Sequence, residues 1–146
     1  MSASAHIAQP DTRQQSRSDT PQAVAALAGR VLLSAIFLLS GVSKLAAPAM
    51  MIGYIGSVGL PFPQLALALA VIVEIGGGLA LVAGWRTRTV AALLALFSVV
   101  TALAFHNALG DQNQFIHFFK NLAMAGGLLQ VCLLYTSDAA DEGLGV

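Results

Sequence analysis

Charged side chains and cysteines are both scarce in this sequence. Only 10% of its 146 residues are charged and 57% are hydrophobic, whereas soluble domains carry about a quarter charged residues. A water-soluble fold of this size could not cover its surface with so few polar groups, so most of the chain must lie in lipid. The single cysteine, Cys132, excludes an internal disulfide and a Cys-x-x-Cys redox pair. The net charge of zero gives no sign of nucleic-acid binding.

Features of a cleaved signal peptide and of common enzyme motifs are also missing. Residues 1–22 are polar and rich in Ser and Gln, so we expect a disordered cytoplasmic tail. No convincing cleavage site follows the first apolar segment, which we interpret as a retained helix. The sequence contains no nucleophile elbow, phosphate loop or dinucleotide fingerprint. It therefore defines no enzymatic reaction.

What the sequence does contain is four apolar runs of transmembrane length. A bilayer core of about 30 Å needs roughly 20 apolar residues in a helix. The runs cover approximately residues 23–46, 64–83, 89–105 and 115–134. Between the first two, residues 47–63 hold three prolines and three glycines, which are poor in a helix interior, so we interpret them as a connection. The sequence predicts an all-α membrane protein whose residues 23–131 form a four-helix bundle.

Basic residues predict the orientation of this bundle. Arg13, Arg17 and Arg30 lie on the N-terminal side of the first run, and Arg86 and Arg88 lie between the second and third. The other two connections contain no Lys or Arg. The positive-inside rule therefore places both termini in the cytoplasm of a multi-pass inner-membrane protein.

The C-terminal residues 132–146 look foreign to the rest of the chain. The stretch from Cys132 to Glu142 resembles the in-frame translation of a transposase adapter used in sequencing libraries. We expect the native gene to be truncated near Val131 and residues 132–146 to be an assembly artefact without a functional role. The alternative is a natural polar tail after the fourth helix.

Ionisable residues at membrane depth are the main candidates for function. Glu74 lies about ten residues into the second run, so about 15 Å along the helix axis and near the membrane midplane. Such residues are costly in lipid and usually face a bundle interior or a cavity. Lys44 and Lys120 enter from the non-cytoplasmic side, and we expect Glu74 to pair with one of them. The simpler reading is that such a pair only fixes the helix register.

Two of the predicted helices carry further polar residues along one face. In the first run, Arg30, Ser34, Phe37, Gly41 and Lys44 recur at spacings of three and four, so they share one face. They also suit a plain packing face, since small residues let membrane helices approach closely. The candidate site therefore consists of the following residues, with no catalytic role assigned to any of them: Glu74, Lys44, Lys120, His117 and Arg30.

The fourth run repeats this spacing and carries one of two histidines. His117, Lys120, Met124 and Gly127 share a face. His106 and His117 end one run and open the next, so we expect both at the same membrane face. Histidines there could bind a metal or relay protons. No further cluster completes a metal site, and interfacial hydrogen bonding is the favoured interpretation.

Several short motifs, in this order and spacing, resemble the DoxX family of bacterial inner-membrane proteins. The motifs are Gly29-Arg30, LSGVSKL at 39–45, Gly59-Leu60-Pro61, EIGGG at 74–78, GWRTR at 84–88 and FIHFFKNLAMAGG at 115–127. The resemblance covers about residues 29–131. It implies a four-helix inner-membrane protein linked to respiratory and thiol redox chemistry. Some members look like subunits of quinone-linked sulfur oxidation systems, and others partner enzymes that detoxify oxidants.

Three functions stay open from the sequence. The first, favoured by the resemblance, is a membrane subunit or partner of a redox system. It would have a quinone as its cofactor, a soluble or membrane oxidoreductase as its partner besides the lipid bilayer, and no nucleic-acid partner. The second is a small proton-coupled transporter, usually a homo-oligomer. Small multidrug exporters carry their buried Glu in the first helix, whereas Glu74 lies in the second run. The third is a scaffold in which buried charges only specify packing.

Overall fold

A computed structural model describes the backbone of residues 12–143 and the side chains of residues 21–134. The described backbone is helical and contains no strand. Its elements are, in order, α1 (Thr12–Ala46), α2 (Pro48–Ser57), α3 (Pro63–Val71), a π-helical segment (Ile72–Gly76), α4 (Gly77–Ala83), α5 (Thr87–Phe105) and α6 (Gln112–Gly143). Since α3, the π segment and α4 follow one another directly, they form one continuous rod.

Four helices are long and apolar enough to cross a membrane, and the second of them is this rod. We call these four helices the spans. They are Pro21–Ala46, Pro63–Ala83, Thr87–Phe105 and Gln112–Leu134. Large apolar side chains cover their outer faces, such as Leu32 and Leu39, which are more than two-thirds exposed. Exposed leucines on this scale require lipid rather than water around the bundle. The predicted all-α bundle of four membrane-spanning helices is confirmed.

The ends of the first and last helices differ from the expected boundaries. α1 begins at Thr12, whereas we predicted a disordered tail through residue 22 and a helix from about residue 23. The first eleven residues of that tail lie outside the described residues. At the other end, α6 continues to Gly143. The expectation that residues 132–146 are foreign to the chain stays a prediction.

The interpretation of residues 47–63 as a simple connection was wrong over its first part, where α2 forms. Pro48 stands in the first turn of α2, and Pro63 does so in α3. A proline in the first turn loses no helical hydrogen bond and fixes a suitable backbone angle. The prolines therefore begin helices here instead of interrupting them. Ile55 of α2 is buried, and Tyr54 Oη donates a hydrogen bond to the Phe105 carbonyl at the end of α5.

Contacts between distant residues show that the four spans alternate in direction. The Arg30 guanidinium in the first span lies beside Gly84, which ends α4. Near the same end of the bundle, Cys132 Sγ in α6 lies 3.6 Å from the Arg88 carbonyl at the start of α5. The loop with Arg86 and Arg88 therefore shares one end of the bundle with Arg30.

The core lies between the four spans. Phe37, Leu81, Leu94 and Leu128, one from each span, are at most 2% exposed. The first and second spans approach each other most closely at glycines. A β-carbon on Gly41 would lie 2.6 Å from Ile75 Cγ1, a distance that real side chains do not reach. This close approach brings the last two turns of α1 against the π segment.

Candidate functional site

An ion pair joins the first and second spans in the interior of the bundle. Lys44 Nζ donates to Glu74 Oε1 at 2.9 Å. Ser40 Oγ donates to the same oxygen at 3.1 Å and accepts from Lys44 Nζ at 2.7 Å. Glu74 is only 4% exposed. Of the two pairings that the sequence left open, the structure contains the one between Glu74 and Lys44.

The π segment determines where the Glu74 carboxylate points. Glu74 is the middle residue of Ile72–Gly76, where the helix widens to accommodate an extra residue. Such bulges occur frequently at functional sites. This feature was not predicted from the sequence, because single-turn π segments depend on the packing of neighbouring helices. The only local signal is the run of three glycines after Ile75, which we had interpreted as a packing device.

A cavity of about 140 Å³ adjoins the ion pair. Its polar wall includes Ser40, Lys44, Glu74, Lys120 and Asn121. Its remaining lining is Ile36, Phe37, Phe97, Thr101, His106 and Met124. All four spans therefore contribute to one small space that is lined by both charged and apolar side chains.

One carboxylate oxygen of Glu74 has no partner among the described residues. Glu74 Oε2 is buried and receives no hydrogen bond, although Oε1 of the same carboxylate receives two. A buried carboxylate oxygen without a donor is costly. Glu74 also lines the cavity, so a small shift of its side chain would let a hydroxyl or other donor there reach Oε2.

Two histidines form a stacked pair at the end of the bundle that the cavity approaches. The rings of His106 and His117 lie 5.1 Å apart between centroids and are inclined by 27°. His106 Nδ1 is 2.8 Å from Gln114 Oε1, so that nitrogen carries the proton. Lys120 Nζ is 3.0 Å from His117 Nδ1. Because an ammonium can only donate, His117 Nδ1 accepts and its proton is on Nε2.

The structure places the five candidate residues in two groups. Glu74, Lys44 and Lys120 line the cavity, and His117 lies against it through its contacts with Lys120 and His106. Arg30 is not among them, because it lies beside Gly84 toward the opposite end of the bundle. Among residues 21–134, no group of three or more His, Cys, Asp or Glu could hold a metal ion.

Comparison with known proteins assigns the chain to a family. The sequence model named DoxX matches residues 25–107, which include Ser40, Lys44, Glu74 and His106. The chain belongs to the DoxX family. The match ends before His117 and Lys120, so these two residues lie outside the matched range.

Two relatives of this DoxX protein are inner-membrane proteins of Escherichia coli (strain K12). Inner membrane protein YqjF is 34% identical over 110 residues, which is 75% of this chain and 83% of the relative. Inner membrane protein YphA is 30% identical over 112 residues, or 73% and 80%. No solved structure matches the chain. Together with the four spans, the relatives confirm a multi-pass inner-membrane protein.

Proposed function

We propose that this DoxX protein is the membrane subunit of a quinone-linked redox system and that its cavity binds the quinone ring. One observation carries the proposal: a ring-sized cavity is lined by Glu74, whose buried Oε2 has no donor, and by a lysine ammonium. An apolar cavity of about 150 Å³ accommodates a benzene molecule. At about 140 Å³, the cavity here suits a single six-membered ring.

The polar groups fit both redox forms of such a ring. Quinone carbonyl oxygens only accept hydrogen bonds, and Lys120 Nζ and the Asn121 amide are donors. Reduction adds two electrons and two protons and turns both carbonyls into hydroxyl groups. A hydroxyl can donate to Glu74 Oε2, so the carboxylate favours the quinol. The electrons would pass between the ring and a partner oxidoreductase.

The same proposal includes an orientation. Arg30, Arg86 and Arg88 share one end of the bundle, and the positive-inside rule assigns that end to the cytoplasm. The His106–His117 pair then faces the non-cytoplasmic side. Protons taken up or released by the ring would reach that side near the histidines. This route supports a partner enzyme that works on the outer face of the inner membrane.

The first experiment is purification in mild detergent followed by solvent extraction and chromatography of bound quinones. We expect quinone to copurify with the unmodified protein and to be lost from Glu74→Gln and Lys120→Gln. The matched control is Asp111→Asn, which makes the same carboxylate-to-amide change at an exposed position and keeps the oxygen that accepts from the backbone N–H of Gln114. Equal quinone content in all four preparations, or none in any, would overturn the proposal.

A proton-coupled transporter is the second candidate, favoured by the depth of Glu74 and its unpartnered oxygen. Protonation of such a carboxylate could alternate with cargo binding. Proteoliposomes with an imposed pH gradient test this directly, with ethidium as a cationic probe. Ethidium uptake that disappears in Glu74→Gln would replace the redox proposal with transport.

A further inference from the structure

A second depression lies on the lipid-facing side of the bundle, between the rod of α3, the π segment and α4 and the neighbouring α5. Its volume is about 450 Å³, roughly three times that of the polar cavity. Val73, Gly76 and Gly77 form one wall, and Leu93, Leu96 and Val100 form the other. This apolar groove offers almost no polar groups to an occupant.

One aromatic ring stands between the groove and the cavity. Phe97 of α5 lines both spaces. On the opposite side, the π segment divides them, since Glu74 lines the cavity while Val73 and Gly76 line the groove. The two spaces are thus next to each other, and Phe97 borders both of them.

We propose that the apolar groove holds the tail of the same ligand whose ring occupies the cavity. The ligand class is an amphiphile with a ring-sized polar head and one long apolar tail, entering sideways from the bilayer past Phe97. This inference rests on the proposed quinone function. It adds a tail site, an entry path and a gating residue.

The chemistry of the two spaces supports a single occupant. A head that needs hydrogen-bond partners finds them in the cavity, whereas a hydrocarbon tail needs none and gains contacts along the groove walls. The depth of the cavity inside the membrane also matters. A ligand that is already dissolved in lipid reaches the cavity without crossing water. Crossing water would be unfavourable for a long apolar tail.

The groove should make only a moderate contribution to the binding affinity of the tailed ligand. Lipid is as apolar as the groove, so the tail gains packing contacts and little hydrophobic free energy. Blocking the groove should therefore weaken binding of a tailed ligand by about tenfold without abolishing it. Binding of the same ring without a tail should not change.

Gly76 offers a way to block the groove from one wall. A β-carbon on Gly76 would meet no atom within 4 Å, so Gly76→Leu fills open space. Gly126 of α6 is the matched control, because a β-carbon there also meets no atom within 4 Å and the residue lies outside the groove. Leu96→Trp blocks the groove from α5, which keeps the test valid if Gly76→Leu disturbs the π segment.

The probes are 2-methyl-1,4-benzoquinone, whose ring suits the cavity volume, and the same ring carrying a decyl tail, titrated into detergent-solubilised protein by calorimetry. We expect Gly76→Leu and Leu96→Trp to weaken the tailed probe about tenfold and to leave the tail-less ring unchanged. Gly126→Leu should bind both probes like the unmodified protein.

The outcomes separate the two proposals. If the unmodified protein binds both probes and the groove variants affect neither, the tail site is refuted and the ring site stands. If the groove variants weaken both probes equally, the substitutions act on the cavity and the tail site is again refuted. If the unmodified protein binds neither probe, the quinone function itself fails.

Discussion

Replacing Lys44 by methionine should destabilise the bundle, and removing the charge of Glu74 as well should restore most of the loss. In Lys44→Met the carboxylate of Glu74 stays buried and loses its cation, while Ser40 Oγ still donates to Oε1. An uncompensated buried charge is strongly unfavourable, whereas a neutral pair of similar volume is often tolerated. The pair should therefore show strong thermodynamic coupling.

The geometry sets the size of the effect. Removing one partner of a fully buried pair costs roughly 3–5 kcal/mol. The Glu74 side chain is 5% exposed, but that of Lys44 is 21% exposed, so water reaches part of the pair. With the remaining Ser40 hydrogen bond, we expect about 2 kcal/mol for Lys44→Met, or about thirtyfold in the folding equilibrium. The double variant Lys44→Met with Glu74→Gln should return to within about 1 kcal/mol of the unmodified protein.

The assay is reversible unfolding in mixed micelles of rising SDS fraction, followed by far-ultraviolet circular dichroism. Lys120→Met is the control, because the same change occurs at an exposed lysine whose partner is His117 and not a carboxylate. It should cost less than about 1 kcal/mol. If Lys44→Met costs no more than Lys120→Met, or if the double variant is less stable than both of its single variants, the ion pair does not carry the stability assigned to it.

Three further predictions concern packing, orientation and the C-terminus. Gly78→Leu should destabilise the protein by about 1–3 kcal/mol, because its β-carbon would lie 2.9 Å from a leucine of α1. Gly76→Leu is the control and should leave the stability unchanged. Equal losses of stability for the two variants in the same SDS titration would refute the close packing at Gly78. In a cysteine-free background, Asp111→Cys should react with an impermeant maleimide in intact spheroplasts and Arg88→Cys only after lysis. The opposite labelling would reverse the proposed orientation. Reading the gene in an independent assembly should find different codons for residues 132–146, and an uninterrupted gene with these codons would show that the tail is native.

The fold was predictable from the sequence because lipid imposes simple rules on it. Each span needs about 20 apolar residues, and the four runs differ from the observed spans by only a few residues at each end. The short helix α2 was missed because the prolines and glycines of residues 47–63 were counted without regard to position. Pro48 stands in its first turn, where proline favours a helix. A count of prolines alone does not show whether a proline begins a helix or interrupts one.

The candidate site was predictable in part. The depth of Glu74 follows from counting residues, and helical spacing placed Lys44 and Phe37 on the inward face. Helical spacing also put Arg30 on that face, yet a face extends the full length of a helix. Arg30 is fourteen positions before Lys44, about 21 Å along the axis, and so lies near the other end. The choice between Lys44 and Lys120 as the partner of Glu74 depended on how the spans pack, which no single sequence displays.

The π segment also divides the second span into two helical registers. Each residue of an α-helix turns the chain by about 100° and advances it by about 1.5 Å, so one extra residue changes the phase of everything that follows. With the segment present, Glu74 faces the cavity while Gly78 and Leu81 still pack inside the bundle. Deleting a single residue from this turn would let only one half of the span keep its contacts. Both halves of the second span can therefore keep their contacts with the bundle only while the π segment is present.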